Sequence, residues 1–195
     1  MKKTALLVVD IQNDFCPGGS LAVLDGDAIV PIVNELLDKY EIVIFTKDWH
    51  HPKMNAFASQ HEGKKPFDKY TNSDGEEDTL WPDHCVADTY GAELHKGIAI
   101  GKCKGDFYIF KKGTKKNYHP YSGFGGTDLA KFLKTKGVDE VHVVGLALDF
   151  CVKDTALDAV KNGFDTTVII DATRSINLDK SKTISILQEA GVKIL

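Results

Sequence analysis

The sequence predicts an α/β fold, a three-layer α/β/α arrangement in which helices cover both faces of a doubly wound, mainly parallel six-stranded sheet. Two observations predict it. Short apolar runs alternate with amphipathic segments from one end of the chain to the other, which is typical of parallel strands joined by crossover helices. Most of these runs are apolar throughout, as in strands that are buried on both faces. With 195 residues and no internal repeat, the chain suits a single domain over residues 1–195.

The predicted strands are short apolar runs, several of them ending in polar or charged residues. They cover residues 6–9, 42–45, 107–110, 141–144, 167–170 and 192–195. The predicted helices begin at polar capping residues and end at glycine or polar residues. They cover residues 28–40, with Asp27 as its cap and Pro31 near its first turn, residues 127–136, residues 154–162 and residues 181–190. Residues 51–97 show no clean period, so we expect a long loop region with short helical pieces and a surface insertion at 63–78.

Composition excludes several classes of function. The chain is 43% hydrophobic and 27% charged, with a formal net charge of -4, which is typical of a soluble globular protein and gives no basic surface for nucleic acid. The first apolar run is too short for a signal peptide or a membrane span. We therefore expect a cytoplasmic protein with a small polar substrate. Its four cysteines show no C-x-x-C spacing and are expected to be free thiols.

Reactive side chains follow four of the predicted strands: Asp10, Asp48 with His50, Lys112, and Cys151. The carboxyl ends of parallel strands share one edge of a sheet, so these groups are expected to meet. A carboxylate can take a thiol proton, and a lysine can hold the resulting anions. The start of a helix favours the thiolate and offers N–H groups to an oxyanion. The alternatives are a buried structural cysteine, a solvated lysine and a turn-capping aspartate.

Metal ligands are suggested by Asp48-x-His50, with His84 as a third. Two nitrogens and one oxygen suit zinc, iron or manganese. Phe15 and Trp81 can form a slot for a flat aromatic substrate, and the alternative for both is a place in the core. The remaining histidines are assigned structural or solvated roles. They are His51, His61, His95, His119 and His142.

The chain resembles the nicotinamidases, also called pyrazinamidases, of the isochorismatase-like cysteine hydrolases. The matching segments occur in the family's order and span nearly the whole chain. They are VDIQNDFCPGGSL at 9–21, TKDWH at 46–50, FASQH at 57–61, WPDHCV at 81–86, FKKG at 110–113, YSGF at 121–124, VGLALDFCV at 144–152 and DATR at 171–174. Together they are far more specific than any one of them.

The resemblance implies a role for each matching residue. Asp10 is the base, Lys112 the stabilising cation and Cys151 the nucleophile, whose N–H forms an oxyanion hole with that of Ala147 beside a cis Leu146–Ala147 peptide. The other implied residues are Asp48, His50 and His84 for a divalent metal, most simply zinc, and Phe15, Trp81, Tyr121 and Leu146 for the substrate.

The sequence departs from the family pattern in three places. Many relatives have a further histidine where this chain has residues 54–56, so we expect the metal to hold more water. Leu148 stands where a small polar residue is expected, and the surface insertion at 63–78 is the third departure, expected to reshape the lid or an oligomer contact.

The activity implied by the resemblance is hydrolysis of nicotinamide to nicotinate and ammonia through a cysteine thioester, in salvage toward NAD, with pyrazinamide also accepted. A homo-oligomer is left open. Three alternatives remain. One is a metal-free hydrolase for another small amide or carbamoyl compound, and Asp48, His50 and His84 argue against it. The second is a thiol redox sensor or inactive metal-binding module, which does not need Asp10 and Lys112 together. The third, isochorismate cleavage, does not need a thiol.

Overall fold

An all-parallel sheet of six strands forms the middle layer of the computed structural model, which describes residues 2–195. The strands are β1 Thr4–Val9, β2 Ile42–Asp48, β5 Asp106–Lys112, β6 Glu140–Leu146, β7 Asp165–Arg174 and β8 Lys193–Ile194. Their order in the sheet is β5-β2-β1-β6-β7-β8. The chain therefore winds outward in both directions from β1, and the order reverses between β1 and β6. The predicted doubly wound fold is confirmed, and five of its six strands are longer than predicted.

Four α-helices cover the two faces of the sheet. They are α1 Val30–Leu36, α2 Leu129–Thr135, α3 Lys153–Lys161 and α4 Ser181–Glu189. The prediction for the first helix was wrong at both ends, because 3-10 turns at Gly26–Ile29 and Leu37–Lys39 flank α1. Asp27 lies inside the first turn and does not cap the helix. The reason is Pro31 in the first turn of α1, because a proline ring clashes with the carbonyl four residues earlier and prevents the helix from starting sooner.

Two hydrophobic cores lie on opposite faces of the sheet, and β1 contributes to both. Its side chains alternate, as the period of a strand requires. Ala5, Leu7 and Val9 pack with residues of α2, α3 and α4, whereas Leu6 and Val8 pack with residues of α1. All five are fully buried, which explains why the run is apolar without interruption.

The region between β2 and β5 carries the surroundings of the site. The expected short helical pieces are present as 3-10 turns at Ala58–Gln60 and Tyr90–Ala92. A short antiparallel ribbon was not predicted: β3 Lys69–Thr71 pairs with β4 Glu77–Thr79 within and just beyond the insertion. None of the helices in residues 2–195 has the length and apolar character that crossing a bilayer requires.

Candidate active site

Four neighbouring strands deliver the reactive groups to one edge of the sheet. Asp10 follows β1, Asp48 ends β2, and Lys112 ends β5, where it pairs in register with Asp48. Cys151 lies in a π-helical turn, Leu148–Val152, between β6 and α3. Asp10 and Cys151 thus flank the point where the strand order reverses, which is where open α/β sheets bind ligands.

A glycine allows β6 to lie against the end of β1. Gly145 has φ of +119°, and a Cβ at this position would lie 2.0 Å from the carbonyl oxygen of Val9. Only a residue without a side chain permits this approach. Gly145 therefore sets the distance between the strand that precedes Cys151 and the strand that precedes Asp10.

The ammonium of Lys112 lies at the centre of the cluster. Its Nζ is 3.0 Å from Asp10 Oδ2, 2.5 Å from Asp48 Oδ1 and 3.6 Å from Cys151 Sγ. It also donates to the carbonyl oxygen of Pro120 at 3.3 Å. The side chain is 1% exposed, so the alternative of a solvated lysine is wrong. A buried ammonium of this kind needs anionic partners, and the cluster supplies them.

Burial and charge shift the protonation of these groups in different directions. Burial raises the pKa of Asp10 although Lys112 opposes the shift. Burial also acts to raise the pKa of Asp48, but the charge of Lys112, helped by the contact with His50, outweighs it and holds that pKa well below its ordinary value. For Lys112, burial acts to lower the pKa, and the two carboxylates raise it well above normal. Asp48 and Lys112 are therefore a stable ion pair, while Asp10 is the stronger base of the two carboxylates.

The cysteine keeps its proton at rest. Burial raises the pKa of the Cys151 thiol well above its ordinary value, and Lys112 only partly opposes this. Lys112 favours the thiolate, as expected, but desolvation outweighs it in the resting site. Asp10 Oδ1 accepts from Thr46 at 2.6 Å, and the only polar contact of Oδ2 among the described residues is with the Lys112 ammonium, 3.0 Å away. Oδ2 is thus free to accept the thiol proton.

The histidines predicted as metal ligands are held in a defined orientation. His50 Nδ1 bonds to the carbonyl oxygen of Gly113 at 3.1 Å, and His84 Nδ1 bonds to that of Pro82 at 2.7 Å. These bonds place the hydrogen of each ring on Nδ1 and leave the lone pair of Nε2 available. This is the usual arrangement for metal-binding histidines. Burial is the largest cause that lowers the pKa of His84 to about 4, so its ring is neutral. Asp48 Oδ2 lies 3.5 Å from His50 Nε2.

His119, to which the sequence assigned a structural or solvated role, joins this group. One ring nitrogen of each of His50, His84 and His119 lies within 4.8 Å of the others. His119 is difficult to assign to the site from sequence, because it stands in an aperiodic loop seven residues beyond Lys112. Its place two residues before Tyr121 was the one available signal. These three histidines with Asp48 fit a divalent metal ion, since buried ring nitrogens without partners need a cation or a proton.

A small, mostly apolar pocket opens onto Cys151. Phe15, Trp81 and Tyr121, which the resemblance implies for the substrate, line it together with Ala147, Leu21, Val23, Phe150 and Ile176. The polar residues of the lining are Asp48, His84 and His119. Trp81 Nε1 donates to the hydroxyl of Tyr121 at 3.0 Å, and that hydroxyl donates to Asp78 at 3.1 Å. The peptide between Leu146 and Ala147 is cis, as expected.

Leu146 is not brought to the pocket. Its side chain is fully buried in the core on the α1 face of the sheet, together with that of Val144. Alternate residues of a strand face the same side, so Val144 and Leu146 share the α1 face, and Leu146 is not among the residues that line the pocket. The assignment of its side chain to substrate binding is corrected on this ground.

The family of the chain follows from its match to the Isochorismatase domain model, which covers residues 4–192. The chain belongs to the isochorismatase family. This isochorismatase-family chain is 43% identical over 183 residues to a nicotinamidase from Acinetobacter baylyi, covering 91% of this chain and 84% of that protein.

Two solved structures are similar to this isochorismatase-family protein along almost its whole length. A nicotinamidase and pyrazinamidase from Acinetobacter baumanii has a TM-score of 0.93 at 41% identity, covering 100% of this chain and 96% of that one. The pyrazinamidase of Pyrococcus horikoshii in complex with zinc has a TM-score of 0.81 at 36% identity, covering 99% of this chain and 98% of that one.

Proposed function

We propose that this isochorismatase-family protein is a nicotinamidase that hydrolyses nicotinamide to nicotinate and ammonia in NAD salvage. The observation that carries the proposal is the contact of Lys112 with Asp10 and Cys151 at the wall of a narrow aromatic pocket. A nucleophile beside a base and a cation supports acyl transfer. The flat walls support a planar aromatic amide, and the similarity to nicotinamidases supports nicotinamide itself.

The reaction proceeds by two acyl transfers. Cys151 Sγ attacks the carboxamide carbon while Asp10 Oδ2 takes the thiol proton, and Lys112 holds the negative charge of the cluster. The N–H groups of Ala147 and Cys151 bind the oxyanion, a contribution of about 2.7–4 kcal/mol for each donor in comparable enzymes. Asp10 then gives its proton to the departing ammonia, which leaves a thioester. Water attacks the thioester with Asp10 again as base, and nicotinate and the thiol are released.

Asp48, His50 and His84 would hold a divalent metal, which we propose is zinc. Nitrogen and oxygen donors suit zinc best, and iron and manganese accept the same set. When bound, the metal supplies a Lewis-acid contact for the ring nitrogen of the substrate. The zinc complex of the similar Pyrococcus horikoshii pyrazinamidase supports this choice.

Phe15, Trp81 and Tyr121 orient the substrate ring. All three line the pocket, and aromatic rings pack favourably against one another. A pyrazine ring has the same size and shape as a pyridine ring, so we propose that pyrazinamide is accepted as well.

Ammonia release from nicotinamide tests the proposal. The wild type and Cys151→Ala are compared, with the bound metal of each counted by elemental analysis. We expect ammonia only from the wild type, and about one metal per chain in both, because the nucleophile and the metal ligands are different residues. A wild type that binds metal and leaves nicotinamide intact would contradict the substrate. A fully active metal-free enzyme would contradict the metal site and favour the metal-free carbamoyl hydrolase.

We also propose that the protein acts in the cytoplasm, without nucleic-acid or membrane partners, and that it forms a homo-oligomer. The net charge of -4 supports the absence of nucleic-acid partners. Phe107 and Ile109, each 46% exposed on the edge strand β5, support self-association. Light scattering on the purified protein gives the mass, and a monomer at all concentrations would contradict the second part.

A further inference from the structure

The ring of His119 is enclosed by other aromatic rings but makes no hydrogen bond. Neither Nδ1 nor Nε2 has a partner within residues 2–195, although both atoms are buried. The ring stacks on that of His50 with centroids 4.8 Å apart and planes 27° apart, and it contacts Tyr121 edge-on at 5.2 Å. A buried polar group is stable only when it is paired, so the partner of His119 lies outside the polypeptide.

The neighbours of His119 indicate what that partner is. His50 Nε2 is also buried without a partner, and His50 and His84 both use Nδ1 to bond backbone carbonyls. Their free nitrogens and one nitrogen of His119 lie within 4.8 Å of each other. Imidazoles that turn lone pairs toward one point repel one another unless a cation occupies that point.

A second group of candidate ligands lies next to the first, formed by Asp10, Asp48 and Cys151. The ammonium of Lys112 lies within 3.6 Å of all three. It already neutralises that group and would repel a divalent ion placed there. The metal is therefore expected on the histidine side of Asp48, whose Oδ2 lies 3.5 Å from His50 Nε2.

We infer that His119 is a fourth protein ligand of the metal, together with Asp48, His50 and His84. The expectation that the metal holds more water is replaced, because a histidine from the loop after β5 supplies the additional donor. The segment after His51 supplies none, since Met54 is fully buried among Ala56, Phe57 and Trp81. The inference rests on the proposed metal site and does not depend on which amide is hydrolysed.

Metal affinity tests the inference without reference to activity. The zinc dissociation constants of the wild type, His119→Asn and His51→Asn are measured by competition with a chelator. His51 is the matched control, because it carries the same ring next to His50 but is exposed and bonds only to Lys53 N. We expect zinc to bind at least about 100-fold more weakly to His119→Asn than to the wild type, because loss of a ligand should cost no less than loss of an outer-shell partner. The zinc affinity of His51→Asn should equal that of the wild type.

X-ray absorption at the zinc edge provides a readout that a merely structural role of His119 would not change. We expect three imidazole ligands in the wild type and two in His119→Asn. Two imidazoles in the wild type, or equal affinities of wild type and His119→Asn, would overturn the inference, as would a wild type that binds no divalent metal. A wild type with three imidazoles that leaves nicotinamide intact supports the inference and overturns only the proposed substrate.

Discussion

Lys112 shows how one residue determines the chemistry of its surroundings. Its ammonium contacts two carboxylates and a thiol in a site from which water is nearly excluded. Because Asp48 takes the closest contact at 2.5 Å, Asp10 retains enough basicity to act on the thiol. The difference between the two carboxylates, one with a lowered and one with a raised pKa, separates the roles of ion-pair partner and base.

Thr46→Val tests the role of Asp10 through pH dependence. Thr46 donates a hydrogen bond that favours the ionised form of Asp10, so its loss raises the pKa of Asp10 further. Activity requires the carboxylate and is lost as the pH falls through that pKa. The acid limb of kcat/KM against pH should therefore move to higher pH. The apparent pKa values belong to the whole cluster of interacting groups. The quantity to measure is therefore the difference in apparent pKa between the variant and the wild type.

The control for this experiment is Thr166→Val. Thr166 is also buried and donates one hydrogen bond, to the carbonyl oxygen of Phe164 at 3.0 Å, but it lies in β7, away from Asp10. An acid limb that stays in place in Thr46→Val, or moves equally in Thr166→Val, would argue against Asp10 as the base.

At the scale of elements, the end of β5 and the loop behind it contribute more to the site than any other segment. Within ten residues they supply Lys112, the carbonyl of Gly113 that orients His50, His119, and Tyr121 of the pocket wall. The loop is long because it crosses the whole site, from the catalytic cluster to the substrate pocket. Changes in this loop are therefore expected to affect metal and substrate together.

Gly113→Ala is expected to weaken metal binding. A Cβ at this position would lie 2.4 Å from the ring of His50, and the residue has φ of +66°. Gly137→Ala is the matched control, since Gly137 has φ of +69° and no atom within 4 Å of the new Cβ. Both variants should lose roughly 1–2 kcal/mol of stability from the backbone conformation. Only Gly113→Ala should lose zinc, as counted by elemental analysis, and equal zinc content in both would show that His50 does not depend on this contact.

Tyr121→Phe tests the link between the ribbon and the pocket. Burial, together with Asp78, raises the pKa of Tyr121 well above its ordinary value, so the hydroxyl remains a donor to Asp78. Removing the hydroxyl keeps the aromatic ring but loses both hydrogen bonds. At a net loss of about 1 kcal/mol in binding free energy, KM should rise roughly fivefold with little change in kcat. Tyr108→Phe loses a comparable bond to Asp106 at the opposite end of β5 and should behave like the wild type. An unchanged KM in Tyr121→Phe would show that the β3–β4 ribbon does not contribute to substrate binding.

At the scale of the whole molecule, the sequence predicts the sheet and the positions of its reactive groups because both follow from local patterns. Uninterrupted apolar runs predict strands buried on both faces, and polar residues at their ends then share an edge. His119, Phe150 and the β3–β4 ribbon could not be placed in this way, since they lie in segments whose conformation depends on distant contacts. The protonation state of Cys151 also could not be predicted from the sequence, because it depends on burial, which is a property of the folded molecule.

The strand order has a further consequence for how the protein gains its activity. Asp10 and Cys151 meet only when β1 pairs with β6, which joins residues 136 positions apart in the chain. Contacts over such separations form slowly, because the intervening chain must be ordered first. During refolding from urea, helical circular dichroism is therefore expected to recover before ammonia release. Regained activity then reports complete assembly of the sheet, and catalysis that recovers ahead of the helical signal would show that the site forms without its central strand pair.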